Sequence, residues 1–372
     1  MGLIRFNDQS LETNLWKAEK FNQMKKLLFP ITILIILSVF ISGCTGVGIA
    51  SSWPGILVKD GTIYTSYSSG VYAASAENGS LLWRYPEKAG KSTFFAPPVI
   101  TSDGQLVVGD YNNELHSIDA NTRTVRWTYK ASGRWIAQPA LAGNLIYAPN
   151  GDHTLYVLDL NGTLVWKFRT KNLLWSTPLV MDGVVYLASM DHNVYALNAL
   201  TGKELWKTDC GGATIGNPVN ADGVVYISTL ANEVLAINTS NGTIQWRFPT
   251  GKAVWSGPAV KDGNLYFGDL EGTLYAVAEQ NQKELWRYKA AGPILGSPLL
   301  TETQIVFTTE NGNLVALDYS GKLIYTKVLG EKLYGTPVLS GENLIIGTTI
   351  KENILIAVDT NGNQVWILAQ PK

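Results

Sequence analysis

The sequence predicts an all-β chain closed into one eight-bladed β-propeller, with four-stranded antiparallel blades and tryptophan-docking motifs. Three observations predict it. An aromatic residue recurs at Trp83, Trp127, Trp166, Trp206, Trp246, Trp286, Tyr325 and Trp366, with spacings of 44, 39, 40, 40, 40, 39 and 41 residues. A proline runs in phase at Pro54, Pro98, Pro139, Pro178, Pro218, Pro258, Pro298 and Pro337, always 27 to 29 residues ahead of the aromatic. Between the two marks, short β-rich runs alternate with Asp-Gly and Asn-Gly turns. A repeat of about 40 residues built from short strands is the signature of propeller blades.

Before the repeats come three short segments. Residues 1–23 carry six charges and stand ahead of a normal export signal. Met24 is therefore expected to be the initiator, with 1–23 a start-site misassignment. Residues 24–43 read as that signal: Met24-Lys25-Lys26 is basic, and Leu27 to Ile41 is apolar except for Pro30, Thr32 and Ser38. A basic start, an apolar stretch and small residues before a cut define a secretory signal. The apolar run is shorter than the roughly 20 residues of a membrane-spanning helix. Ile41-Ser42-Gly43-Cys44 resembles the lipobox of bacterial and archaeal lipoproteins, which implies lipid attachment at Cys44. Residues 44–52 then form a short tether, and 53–372 form the propeller. With eight residues between Cys44 and Trp53, the domain is expected close to a membrane surface.

One repeat shows why the units are blades. Thr177 to Met181 is a short apolar strand, and Asp182-Gly183 is a hairpin turn, since glycine accepts positive φ. Val184 to Ser189 is β-rich, Met190 to Asn193 is a polar turn, and Val194 to Asn198 alternates. Thr201-Gly202 turns into Lys203 to Trp206. Asp60-Gly61, Asp103-Gly104, Asp222-Gly223 and Asp262-Gly263 repeat the first turn, and Asn78-Gly79, Asn161-Gly162, Asn241-Gly242 and Asn361-Gly362 repeat the last. These aspartates are turn residues rather than calcium ligands, because no alternating acidic loop with a trailing Glu occurs. The recurrent aromatic, on the outermost strand, is expected to fill the wedge between neighbouring blades.

Composition narrows the function. Hydrophobic residues make up 46% of the chain and charged residues 16%, enough for a large core. The formal charge is −1 with no basic block, which argues against a nucleic-acid partner. Cys44 and Cys210 are too few for a disulfide framework, and Cys210 beside Gly211-Gly212 reads as a small turn residue. No nucleophile elbow, zincin or P-loop motif is present. His153 and His192 follow aspartates at the same turn of neighbouring blades. A shared metal is one reading and polar turns the other; no metal site is assigned.

The segment Ala196-Leu197-Asn198-Ala199-Leu200-Thr201-Gly202-Lys203-Glu204-Leu205-Trp206 and its counterparts resemble the tryptophan-docking repeat of quinoprotein-like (PQQ-repeat) eight-bladed propellers. The resemblance spans nearly all of 53–366. One branch of that superfamily comprises dehydrogenases that hold pyrroloquinoline quinone under a pair of adjacent cysteines. This chain has no such pair and lacks the length for their insertions, so no cofactor is expected. The other branch is the outer-membrane assembly lipoprotein family of the BamB type, similar in length, lipobox and eight repeats. That resemblance implies a non-enzymatic accessory of the barrel-assembly machinery. The expected function is a lipid-anchored scaffold, exported to the cell envelope, that binds protein partners. The alternatives are a quinone-dependent dehydrogenase and a surface propeller for small ligands or glycans.

The candidate partner face lies just ahead of each proline. Three residues before it stand Phe95, Ile136, Trp175, Ile215, Trp255, Leu295 and Tyr334, with Trp135 one position earlier. Propeller wiring places these on the face of the turns holding Asp110, Asp152, Asp191 and Glu310. Either they pack the blade tops, or Phe95, Trp135, Trp175, Trp255 and Tyr334 anchor a partner segment.

Overall fold

A computed structural model describes residues 55–94, 96–330, 332–349 and 353–371. Cys44 and Phe95 lie outside the described residues, as do 1–43 and the tether. The described strands form eight four-stranded sheets, each from one continuous run of chain: 55–85, 99–130, 140–169, 179–209, 219–249, 259–289, 299–328 and 338–369. We number these blades 1 to 8. All pairings are antiparallel between consecutive strands. Among the described residues, no helix is long and apolar enough to cross a membrane.

In blade 4 the strands are Leu179–Met181, Val184–Ala188, Asn193–Asn198 and Glu204–Asp209. The outer strand runs three residues beyond the expected end at Trp206, because the third strand pairs along its whole length, Asn193 against Asp209. Across this sheet, Tyr186 stands opposite Ala196, and Ala196 opposite Trp206. Alanine between two aromatics leaves room for the rings to meet, 5.9 Å apart and tilted by 46°. Blades 1, 5 and 6 repeat the Tyr–Ala–Trp row.

Immediately after this row the register shifts, as between Ala196 and Leu197, and it does so in all eight blades. A bulge adds one residue to one strand and bends it. The bulge leaves Leu205 half exposed and turns Trp206 onto blade 5. There its indole Nε1 donates to the Thr239 carbonyl at 2.9 Å. Trp127, Trp166 and Trp286 make the same bond to Leu160, Ala199 and Tyr319. The ring lies flat on Gly242, whose φ is 74°; a Cβ there would meet the indole at 2.7 Å. Glycine is required at that position twice over, for its conformation and for the contact.

The apolar core is divided accordingly. Eight clusters of buried side chains each join two adjacent blades. The cluster of blades 8 and 1 combines Ile63 and Tyr72 with Ile345, Leu355 and Trp366. The ring therefore closes by side-chain packing, with no strand exchanged between its first and last blades.

Candidate functional site: the aromatic mouth of the central channel

In the lead-in segments, two neighbouring side chains take opposite sides, one into the core and one toward the channel. Four residues before the proline stand Phe94, Trp135, Leu174, Thr214, Val254, Ile294 and Leu333, all buried between blades. Three residues before it, Ile136, Trp175, Ile215, Trp255, Leu295 and Tyr334 line the central cavity, of about 330 Å³. Trp175, Trp255 and Tyr334 are each partly exposed. They come from blades 4, 6 and 8, so aromatic surface is distributed around the mouth.

Trp135 is corrected by this alternation. It is 1% exposed, within the core of blades 2 and 3 beside Tyr156, at 5.6 Å between ring centres. Gly109 makes the space, since a Cβ on it would sit 2.1 Å from that of Trp135. Trp135 belongs to the buried register, one step out of phase with the channel, and cannot touch a partner in this structure.

Deeper in the channel the wall is small and tied together. Ala137, Gly216, Ser256, Gly296 and Gly335 follow the mouth residues. A Cβ on Gly216 would lie 2.6 Å from the Ser256 backbone, so the inner segments approach at backbone contact. Hydrogen bonds bridge blades one repeat apart: Gln138 Nε2 to the Pro98 carbonyl at 3.1 Å, the Thr177 amide to Asn217 Oδ1 at 2.9 Å, and Ser297 Oγ to the Gly257 carbonyl at 2.7 Å. This bracing holds the mouth residues on a rigid frame.

The carboxylates on this face fasten the lead-in segments. Asp191 Oδ2 accepts from Tyr195 Oη at 2.7 Å and from the Lys171 amide at 2.8 Å. Asp152 Oδ2 accepts from Tyr156 Oη at 2.7 Å and the Ser132 amide at 3.3 Å. Glu310 Oε1 accepts from Tyr334 Oη at 3.3 Å and Lys332 Nζ at 3.1 Å. Burial pushes the Asp191 carboxyl up, but the bonds from Lys171, Tyr195 and Asn193 outweigh it and hold it below the usual range. In blades 3 and 4 the tyrosine stands four residues after the aspartate.

His153 and His192 occupy left-handed turn positions, with φ of 73° and 74°. Neither belongs to the metal-compatible group among the described residues, which is Asp110, Glu114 and His116. Cys210 is fully buried in the core of blades 4 and 5. Burial pushes its thiol up to about 12.

The fold and this mouth define a tryptophan-docked, eight-bladed propeller built from PQQ-like repeats. The family described as outer membrane protein assembly factor BamB matches residues 67–173, 159–253 and 232–372, and the chain belongs to it. The outer membrane protein assembly factor BamB of Yersinia pestis is 27% identical over 175 residues, covering 42% of this chain and 44% of that protein. A tetrathionate hydrolase of Acidithiobacillus ferrooxidans is 31% identical over 159 residues, covering 42% of this chain but only 29% of that enzyme. The chain thus spans less than half the length of these relatives. The crystal structure of BamB from Moraxella catarrhalis superposes with a TM-score of 0.69 at 18% identity, over 79% of this chain and 93% of that one. It has the same fold.

Proposed function

We propose that this protein is a non-catalytic scaffold of the cell envelope that holds segments of partner proteins at the mouth of its channel. The partner class suggested by its family is the barrel-assembly machinery. The observation carrying this reading is the set Trp175, Trp255 and Tyr334, partly exposed on a mouth whose inner wall is braced by inter-blade bonds. Tyr and Trp on a pre-organised frame make good anchors at low entropic cost. Lipid attachment at Cys44 is part of the proposal. It would hold the domain at a membrane and raise the local concentration of membrane partners.

Site-specific crosslinkers placed at Trp175 and Trp255 in the native cell test this reading. Crosslinks to an envelope assembly subunit are expected from both positions and not from Leu205 on the outer rim. The opposite pattern overturns the assignment of the face. Mass spectrometry of the N-terminal peptide tests the anchor, with acylated Cys44 as the expected product. Turnover with added pyrroloquinoline quinone and calcium would overturn the non-catalytic reading.

A further inference from the structure

We infer that Asp110, Glu114 and His116 form a binding site for a divalent transition-metal ion of the zinc class, at the junction of blades 1 and 2. Each offers a ligand atom, and these atoms lie within 4.8 Å of one another. One imidazole and two carboxylates suit zinc and its neighbours, which bind through borderline nitrogen and oxygen donors.

The site is constructed rather than incidental. The Asp110 and His116 side chains are 0% and 9% exposed. Asp110 Oδ1 accepts the amides of Asn112 and Glu114 at 2.9 and 2.8 Å, which fixes the carboxylate and leaves Oδ2 facing His116 Nε2 at 3.2 Å. The other ring nitrogen, Nδ1, is buried with no hydrogen-bond partner. The phenyl ring of Phe94 and the phenol ring of Tyr85 pack around the imidazole at 5.7 and 6.0 Å. Lys130 Nζ lies 3.6 Å from Glu114 Oε1, and the lysine side chain is largely exposed.

Blade 6 shows the same turn without the ligands. There Asp269 Oδ1 accepts the amides of Glu271 and Thr273, and Oδ2 accepts from Tyr275 Oη at 2.9 Å. Thr273 and Tyr275 occupy the places of Glu114 and His116. Glu233 of blade 5 also stands at the place of Glu114, with Leu235 two residues on; only blade 2 sets a histidine beside the glutamate, so that both positions supply metal ligands. The ion would pin the Asp110 turn to the third strand of blade 2, beside the blade 1–2 connection, where Phe94 bridges Asp110 and Ser92 bonds Asn112.

The test uses the full chain, freed of any affinity tag and of metal by chelation, titrated with Zn²⁺ alone by calorimetry. One ion per chain is expected. Glu114→Thr with His116→Tyr rebuilds the blade 6 turn, so this variant should keep its circular dichroism and melting temperature. It should bind at least about 100-fold more weakly, since losing outer-shell partners alone costs about 10–100-fold. Glu114→Gln alone should weaken binding with the fold intact. Absence of saturable binding by the parent chain, or equal binding by the double variant, overturns the inference.

Discussion

Trp366, near the C-terminus, lies flat on Gly79 of blade 1, so close that a Cβ on the glycine would sit 2.3 Å from the indole. This contact is the docking of one blade on the next, made across the seam of the ring. Trp366→Ala is expected to cost about 3–5 kcal/mol, as for a large aromatic truncated in a core. Gly79→Ala should cost more than about 1 kcal/mol, because the residue is left-handed and the added methyl strikes the ring. Urea unfolding measures both. A loss below 1 kcal/mol for both variants would mean that the seam contributes little to the ring.

Trp135 and Trp175 should behave as opposites. Trp135→Ala opens a cavity in the blade 2–3 core and is expected to destabilise by about 3–5 kcal/mol. Trp175→Ala should change stability by less than about 1 kcal/mol. If the channel mouth captures partners, Trp175→Ala combined with Trp255→Ala should weaken capture by about 2 kcal/mol or more, roughly thirty-fold. Thermal melts and quantitative partner binding on the same preparations separate the two effects.

Stability should fall in alkali. Burial, and secondarily Asp359, pushes the Tyr325 hydroxyl up from 10.0 to about 12. Burial and the bond to Asp152 do the same for Tyr156. A group whose proton is held more tightly in the folded state stabilises fully below its unfolded value and loses that contribution as pH rises through the folded one. The loss is therefore expected between about pH 10 and 12. Tyr325→Phe should make it shallower, and, since Tyr325 Oη is buried without a protein partner, should cost no more than about 0.5 kcal/mol at neutral pH. Urea midpoints across this range decide it.

Cys210 should be inert while the domain is folded. Its side chain is fully buried, and its thiol is held up at about 12 by burial, partly offset by Arg247. The thiolate is the reactive form. Labelling at neutral pH should proceed at the rate of unfolding and become rapid in denaturant. Rapid labelling of the native domain would overturn this placement.

The blades, most of their turns and their docking residues were legible, because each rests on a local rule that recurs around the ring: proline at a strand start, glycine at positive φ in most turns, a large ring on the outer strand. The channel mouth was legible in part. Arg134-Trp135-Ile136 offers two adjacent apolar side chains, and composition alone does not tell which faces the channel. Counting back from Pro139 does, since Leu174, Val254, Ile294 and Leu333 hold the place of Trp135 and are all buried. The aspartates were placed on the correct face, but their bonds to Tyr156 and Tyr195 depend on partners that only the folded hairpin brings near. The proposed Asp110, Glu114 and His116 set has no repeating signal, because a histidine stands at this place in blade 2 alone.

Because the core is shared out among eight seams and closed without exchanging a strand, the point at which the polypeptide begins has no structural privilege. Blade 1 meets blade 8 through the same kind of packing that joins blade 4 to blade 5. A circular permutant that opens the loop between blades 4 and 5 and links the original ends should therefore reach the same ring. A chain lacking one blade should instead leave two apolar faces with no partner, and would be driven to recruit another molecule to complete the circle.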